Sequence, residues 1–214
     1  VRSKEKETKV QGYADAMGTY ISPPARLPFF PRVLLGLVER SLGKALIANR
    51  ILAWYPKALY GSGIMEGLVA HDEPEVPKRL LQLIRMQTSF LVSCPFCIDM
   101  NSKEFAERGI TEDEILALRG LKPFDEVPSL DERARTALAY ARCMTSTPVA
   151  FDAETIASLK RFFSEKAIVI ISSTCAQVNF WARLIQSFGV APAGFSRECQ
   201  VLDLEAYRSG PRKP

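Results

Sequence analysis

The chain has 214 residues, 47% of them apolar and 24% charged, with a formal net charge of +4, a composition that supports a buried core without disulfide staples. The mild positive charge is spread along the sequence and no basic run is interleaved with aromatics, so nucleic acid is not an expected partner. Cys94, Cys97, Cys143, Cys175 and Cys199 are an odd set with one close pair, which is not the framework of a disulfide-rich secreted domain.

In chain order, residues 1–30 read as an N-terminal arm. The stretch "VRSKEKETKV" has no apolar segment behind it, so no secretory signal is expected. Pro23, Pro24, Pro28 and Pro31 argue against regular helix in "ISPPARLPFFP", and Phe29 and Phe30 are placed to anchor the arm on its own chain or on a partner subunit. From Arg32, Val33, Leu34, Leu37, Val38, Leu42, Leu46 and Ile47 recur at helical steps. A second helix is expected over 49–66, kinked or split by Pro56. Glu39, Arg40, Lys44 and Arg50 interrupt this apolar region, so no membrane span is expected there; its stripe fits core or oligomer contact better than a membrane surface. The sequence is read as a soluble, cytoplasmic protein.

After the turn-rich "AHDEPEVP", Pro77 suits the first turn of a helix running to about Val92. The next helix is expected from Cys94 to Gly109, with Gly109 as its stop. Thr111 and Glu114 form a capping box, and Ser129 with Glu132 repeats the spacing. Asp152 caps a short helix. Ser164 opens a long one that Gly189 ends, and its wide apolar content places it in the core or at a subunit interface. No strand pattern competes, so the fold class is all-α. The domain division is an arm (1–30), a helical domain (31–195) and a C-terminal tail (196–214).

The chemistry concentrates at "SCPFCIDMN". A thiolate is the reactive form of cysteine, and a helix N-terminus favours it. Cys94 and Cys97 sit where a helix begins, at a spacing that permits a disulfide. With one Cys pair and one histidine, His71, a four-ligand zinc site is not expected, and no metal or cofactor is implied. Cys143 and Cys175 read as buried small hydrophobes.

The stretch "LLQLIRMQTSFLVSCPFCIDMNSKEFAERGITEDEILAL" resembles the core of the AhpD-like alkylhydroperoxidase, or carboxymuconolactone decarboxylase, family. The later "VNFWARL" resembles a second signature of longer members, so the likeness spans about residues 60–195. It implies an all-helical homo-oligomer (dimer, trimer or hexamer) in which Cys97 attacks a hydroperoxide and Cys94 resolves the product, with a thiol reductant closing the cycle. It also implies a Glu–His proton relay, but Gln82 stands at the Glu position and Asn101 at the His position. Neither amide takes a proton near neutral pH. Asn101, four residues after Cys97, is expected to reach its sulfur, and turnover by the relay is expected to be slow. His71 reads as an exposed loop residue, Asp99 and Glu104 as solvent-facing, and Arg85 as a surface or interface cation near the pair. The readings that follow are a thiol peroxidase or disulfide-exchange protein, a non-enzymatic helical oligomer that has lost the relay, or a lactone decarboxylase, against which the retained pair counts.

Overall fold

Residues 19–103 and 105–196 are described by a computed structural model, and over these residues all regular secondary structure is helical. The helices are α1 (Phe29–Leu42), α2 (Ile47–Leu52), α3 (Pro56–Gly67), α4 (Lys78–Leu91), α5 (Pro95–Asn101), α6 (Glu112–Leu118), α7 (Glu132–Thr145), α8 (Ala153–Phe162) and α9 (Glu165–Ser187). Pro56 splits the expected second helix rather than kinking it. It opens α3, where its missing N–H has no helical partner to lose. Pro31 is likewise accommodated in the first turn of α1, which begins at Phe29. Glu104, Cys199 and most of the N-terminal arm lie outside the described residues.

The starts of the later helices follow their caps. Thr111 Oγ1 accepts the Glu114 N–H while Glu114 returns a carboxylate oxygen to the Thr111 N–H, closing the capping box. Asp152 caps α8 through the Thr155 N–H, a bond that holds its carboxyl below the usual range. Ser164 caps α9, and Gly189 at φ +68° lies just past its end. The second expected box is corrected: Asp131, not Ser129, caps α7 by accepting the Ala134 N–H. Ser129 instead donates to Glu114 at 2.8 Å.

The main core lies between α4, α7 and α9. Leu81, Leu83, Ile84 and Met86 of α4 meet Leu138 of α7 and Ile171 and Cys175 of α9, all fully buried. α9 is long and apolar enough to cross a membrane by length and composition. Its buried residues Ala167, Ile171 and Cys175 pack in the core with α4 and α7, while Val169 and Phe180 are exposed. Two smaller clusters carry the rest of the chain on this frame. One joins α2, α5 and the end of α9; the other joins Leu27 and Leu35 to the α2–α3 junction.

The apolar stripe of α1 does not face these clusters. Only Pro31 and Leu35 are buried there, whereas Leu37 is 61% and Phe30 75% exposed, with Phe29, Val33, Leu34, Val38 and Leu42 also open. Among the described residues this stripe of α1 is therefore not part of the core.

Glu114 is the most demanding group in the frame. Its side chain is fully buried, and it holds the capping box, the Ser129 hydroxyl and the Arg79 guanidinium. A buried carboxylate stripped of its cation is strongly destabilising. Arg79→Ala is expected to lower unfolding stability by roughly 3 kcal/mol, the low end for a broken buried pair because Arg79 is partly exposed; urea titration measures it. An unchanged midpoint would show that Ser129 and Thr111 suffice for the carboxylate.

Candidate thiol site

The chain leaves α4 at Leu91 and turns sharply into α5. Ser93 adopts a left-handed φ of +48°, a conformation that costs a non-glycine residue about 1 kcal/mol or more. The turn is held by the Ser93 N–H on the Phe90 carbonyl at 3.0 Å and the Cys94 N–H on the Ser89 carbonyl at 3.3 Å. It delivers Cys94 to the N-cap of α5, where its sulfur accepts the Cys97 N–H at 3.3 Å. The two Cα atoms are 5.2 Å apart and the sulfurs are within disulfide-bonding distance. The pair expected at a helix start is there. The helix is shorter than expected: it ends at Asn101, and the chain continues in turns to Gly109 at φ +68°.

Both cysteines are buried. Cys94 is 0% and Cys97 3% exposed, in a cluster with Phe96, Ile47 and Ile51 of α2, and Ala182 and Ile185 of α9. Trp181, Phe188, Ala193 and Phe195 pack around it. Gln186 Nε2 donates to the Val92 carbonyl at 3.2 Å, tying the end of α9 to the turn before Cys94.

Gln82 and Asn101 do come to one place, through α4. Residues 82, 85 and 89 lie at helical steps on one side of it. Gln82 Nε2 donates to the Asn101 carbonyl, and its Oε1 accepts from Arg108 at 2.9 Å. The Asn101 side chain does not bond to sulfur as expected. Its Nδ2 donates to Ser89 Oγ at 2.9 Å, and Ser89 in turn donates to the Arg85 carbonyl at 2.7 Å. The relay positions are thus struts between α4, α5 and the following turns.

Arg85 is not a surface cation. It is half-buried, donates to the Ala70 carbonyl, and is pushed down from its ordinary pKa first by burial and also by Arg108, against the pull of Glu66. Glu66 on α3 accepts from Gln177 Nε2 at 2.6 Å and Trp181 Nε1 at 3.0 Å. Arg108, Glu66, Gln177 and Ser89 were missed by the sequence reading. Trp181, within the quoted "VNFWARL", was the one signal that pointed here.

Asp99 also contradicts its expectation. It is 4% exposed. Its Oδ2 accepts the N–H groups of Ala193 and Phe195 at 3.0 Å each, and its Oδ1 that of Ser196 at 2.8 Å. His71 is exposed in a loop, as expected. Cys175 is a buried, free thiol pushed up to about 12 by burial, with the Thr88 hydroxyl as its hydrogen-bond partner. Cys143 is half-buried and free. Among the described residues no group of three or more His, Cys, Asp or Glu side chains is placed to hold a metal.

Residues 62–142 match the model of the carboxymuconolactone decarboxylase family. An uncharacterized Escherichia coli (strain K12) protein, YnjA, is 23% identical over 83% of this chain and 96% of its own. The fold matches that of the debrominase Bmp8, solved as a Cys-to-Ala variant with 2,3,4-tribromopyrrole, with a TM-score of 0.65 at 21% identity over 83% of this chain and 93% of that one. It also matches an alkylhydroperoxidase AhpD core protein, an uncharacterized peroxidase-related protein from Ralstonia eutropha JMP134. There the TM-score is 0.64 at 16% identity over 81% and 92% of the two chains.

If Gln82 is a strut, Gln82→Met leaves Arg108 and the Asn101 carbonyl without their partner. The expected loss is about 1–3 kcal/mol of stability, read by urea unfolding. A variant as stable as the parent would mean that the amide holds nothing in place.

Proposed function

The chain is AhpD-like in fold and carries the carboxymuconolactone decarboxylase family pattern over residues 62–142; on that premise we propose that it is a thiol-dependent, peroxidase-like or disulfide-exchange oxidoreductase. Cys97 is the attacking sulfur and Cys94 the resolving one. The observation that carries the reading is the pair itself, two cysteines one helical turn apart with their sulfurs in bonding range. The Cys97 thiolate attacks the distal oxygen of an organic hydroperoxide. The O–O bond breaks, the alkoxide leaves and is protonated to an alcohol, and Cys97 becomes a sulfenic acid. The Cys94 sulfur then attacks the Cys97 sulfur, water leaves, and the disulfide forms. A small-molecule or protein dithiol restores both thiols and is itself oxidised.

Gln82 and Asn101 set the rate in this scheme. With both amides engaged in structural hydrogen bonds, Cys97 loses its proton without a positioned base. General-base assistance is worth roughly 100- to 10,000-fold, so turnover is slow beside a relay-bearing enzyme. The same loss supports a second reading, a helical oligomer whose cysteines do no chemistry. Lactone decarboxylation is less well supported, because it has no use for the pair.

The partner that fits the exposed stripe of α1 is a second copy of the chain. Exposed apolar side chains gathered on one helix, with Trp54 and Tyr55 also open, are the kind of face that marks a protein–protein contact. The reading places the protein in the cytoplasm, where thiols are kept reduced.

Two results test this. Cys97→Ser is expected to abolish hydroperoxide consumption, while Cys94→Ser is expected to accumulate a sulfenic acid that dimedone traps at Cys97. Turnover that survives Cys97→Ser sinks the thiol reading. For assembly, sedimentation is expected to show an oligomer that the double variant Leu34→Glu, Leu37→Glu converts to a helical monomer; an unchanged mass would place the interface elsewhere.

A further inference from the structure

We propose that residues 190–196 form a strap that gates access to the Cys94–Cys97 pair, held shut by the carboxylate of Asp99 and the ammonium of Lys44. The proposal rests on the thiol reading above and adds how a reductant reaches the pair. A reductant must bring a thiolate up to one sulfur of the disulfide, and Cys94 and Cys97 are residues only 0% and 3% exposed, so that approach calls for movement of what covers them.

Three elements cover the pair: α2, the C-terminal half of α9, and the strap. α9 is packed on α4 and α7 and on α5, so it is the least free to move. The strap has no regular secondary structure. Ala193 and Phe195 pack against the cluster that encloses the cysteines, and the Phe195 ring meets Phe96, the residue before Cys97, edge-on at 6.2 Å.

Two charged groups clasp the strap. Both Asp99 oxygens are taken up by its main-chain N–H groups, at Ala193, Phe195 and Ser196. On the other side, Lys44 Nζ donates to the carbonyls of Ala193 at 2.8 Å and Gly194 at 3.1 Å. Asp99 is two residues after Cys97 on the same short helix, so the strap is fastened to the element that carries the attacking sulfur. Hydrogen bonds to a charged group are the stronger kind. Removing either charge leaves Phe195 on Phe96 but loosens the clasp, and removing that of Lys44 also takes away the cation 6.0 Å from the centre of the Phe195 ring.

The test uses the full chain with its disulfide formed. Dithiothreitol is added, aliquots are quenched with N-ethylmaleimide, and the peptides carrying Cys94, Cys97 and Cys175 are quantified by mass spectrometry. In the reaction read, a dithiothreitol thiolate attacks one protein sulfur, the S–S bond breaks and the other cysteine leaves as a thiolate that takes up a proton. The second dithiothreitol thiol then displaces the first cysteine, giving two protein thiols and cyclic oxidised dithiothreitol. Asp99→Asn and Lys44→Met are each expected to speed reduction about tenfold or more, as loss of a charge-assisted contact shifts the open population, with Cys175 still unmodified. Lys44→Met, which keeps the apolar stem of a partly exposed residue, decides the matter if Asp99→Asn does not fold. Rates equal to the parent overturn the proposal, as does acceleration accompanied by labelling of Cys175, which would be general loosening. Because no hydroperoxide enters this measurement, its failure is distinct from failure of the peroxidase reading.

Discussion

A carboxylate as deeply buried as that of Asp99 is tolerated only when it is fully hydrogen-bonded, and here its partners are main-chain N–H groups 94, 96 and 97 residues further on. That convergence brings the chain back from the end of α9 across the start of α5. It completes the small cluster in which both cysteines lie. The main core of α4, α7 and α9 is a separate body of packing, and the thiol pair sits beside it rather than within it. The site is thus built where a short helix, a left-handed turn at Ser93 and a returning segment meet.

The polar side of the site is organised around α4. Gln82 holds the Asn101 carbonyl and Arg108, and Ser89, itself donating to the Arg85 carbonyl, accepts from the Asn101 amide, while Glu66 gathers Gln177 and Trp181 from α9. A Glu at 82 would place a carboxylate against the Asn101 carbonyl, a contact that the neutral amide makes favourably by donating its N–H. The pair of amides is therefore self-consistent as structure. On the proposed thiol reading, both amides being engaged in these bonds leaves Cys97 without a base from positions 82 and 101, and the acidity of that thiol becomes the quantity on which turnover depends.

Much of this was legible in the sequence, for local reasons. Thr111 with Glu114, Asp152, Ser164 and Gly189 act within a turn or so of themselves, and their spacing fixes their partners. The Cys pair at a helix start and the all-helical class were readable in the same way. Asp99 was not, because a helical wheel takes an acidic residue on a short helix as solvent-facing and cannot see N–H groups that return from far along the chain. Asn101 misled for the complementary reason. Its i, i+4 relation to Cys97 is real, but Ser89 on the preceding helix competes for the same amide. The stripe of α1 was correctly seen as apolar, yet periodicity reports which residues share a face and not what covers that face.

In the proposed function Cys97 and Cys94 act together on a hydroperoxide. The most direct measurement is a single turnover of the fully reduced chain with limiting organic hydroperoxide, followed by counting thiols and mapping disulfides. The account requires one Cys94–Cys97 disulfide formed for each hydroperoxide consumed, with Cys175 untouched. Hydroperoxide left unconsumed, or consumed without loss of those two thiols, would contradict it.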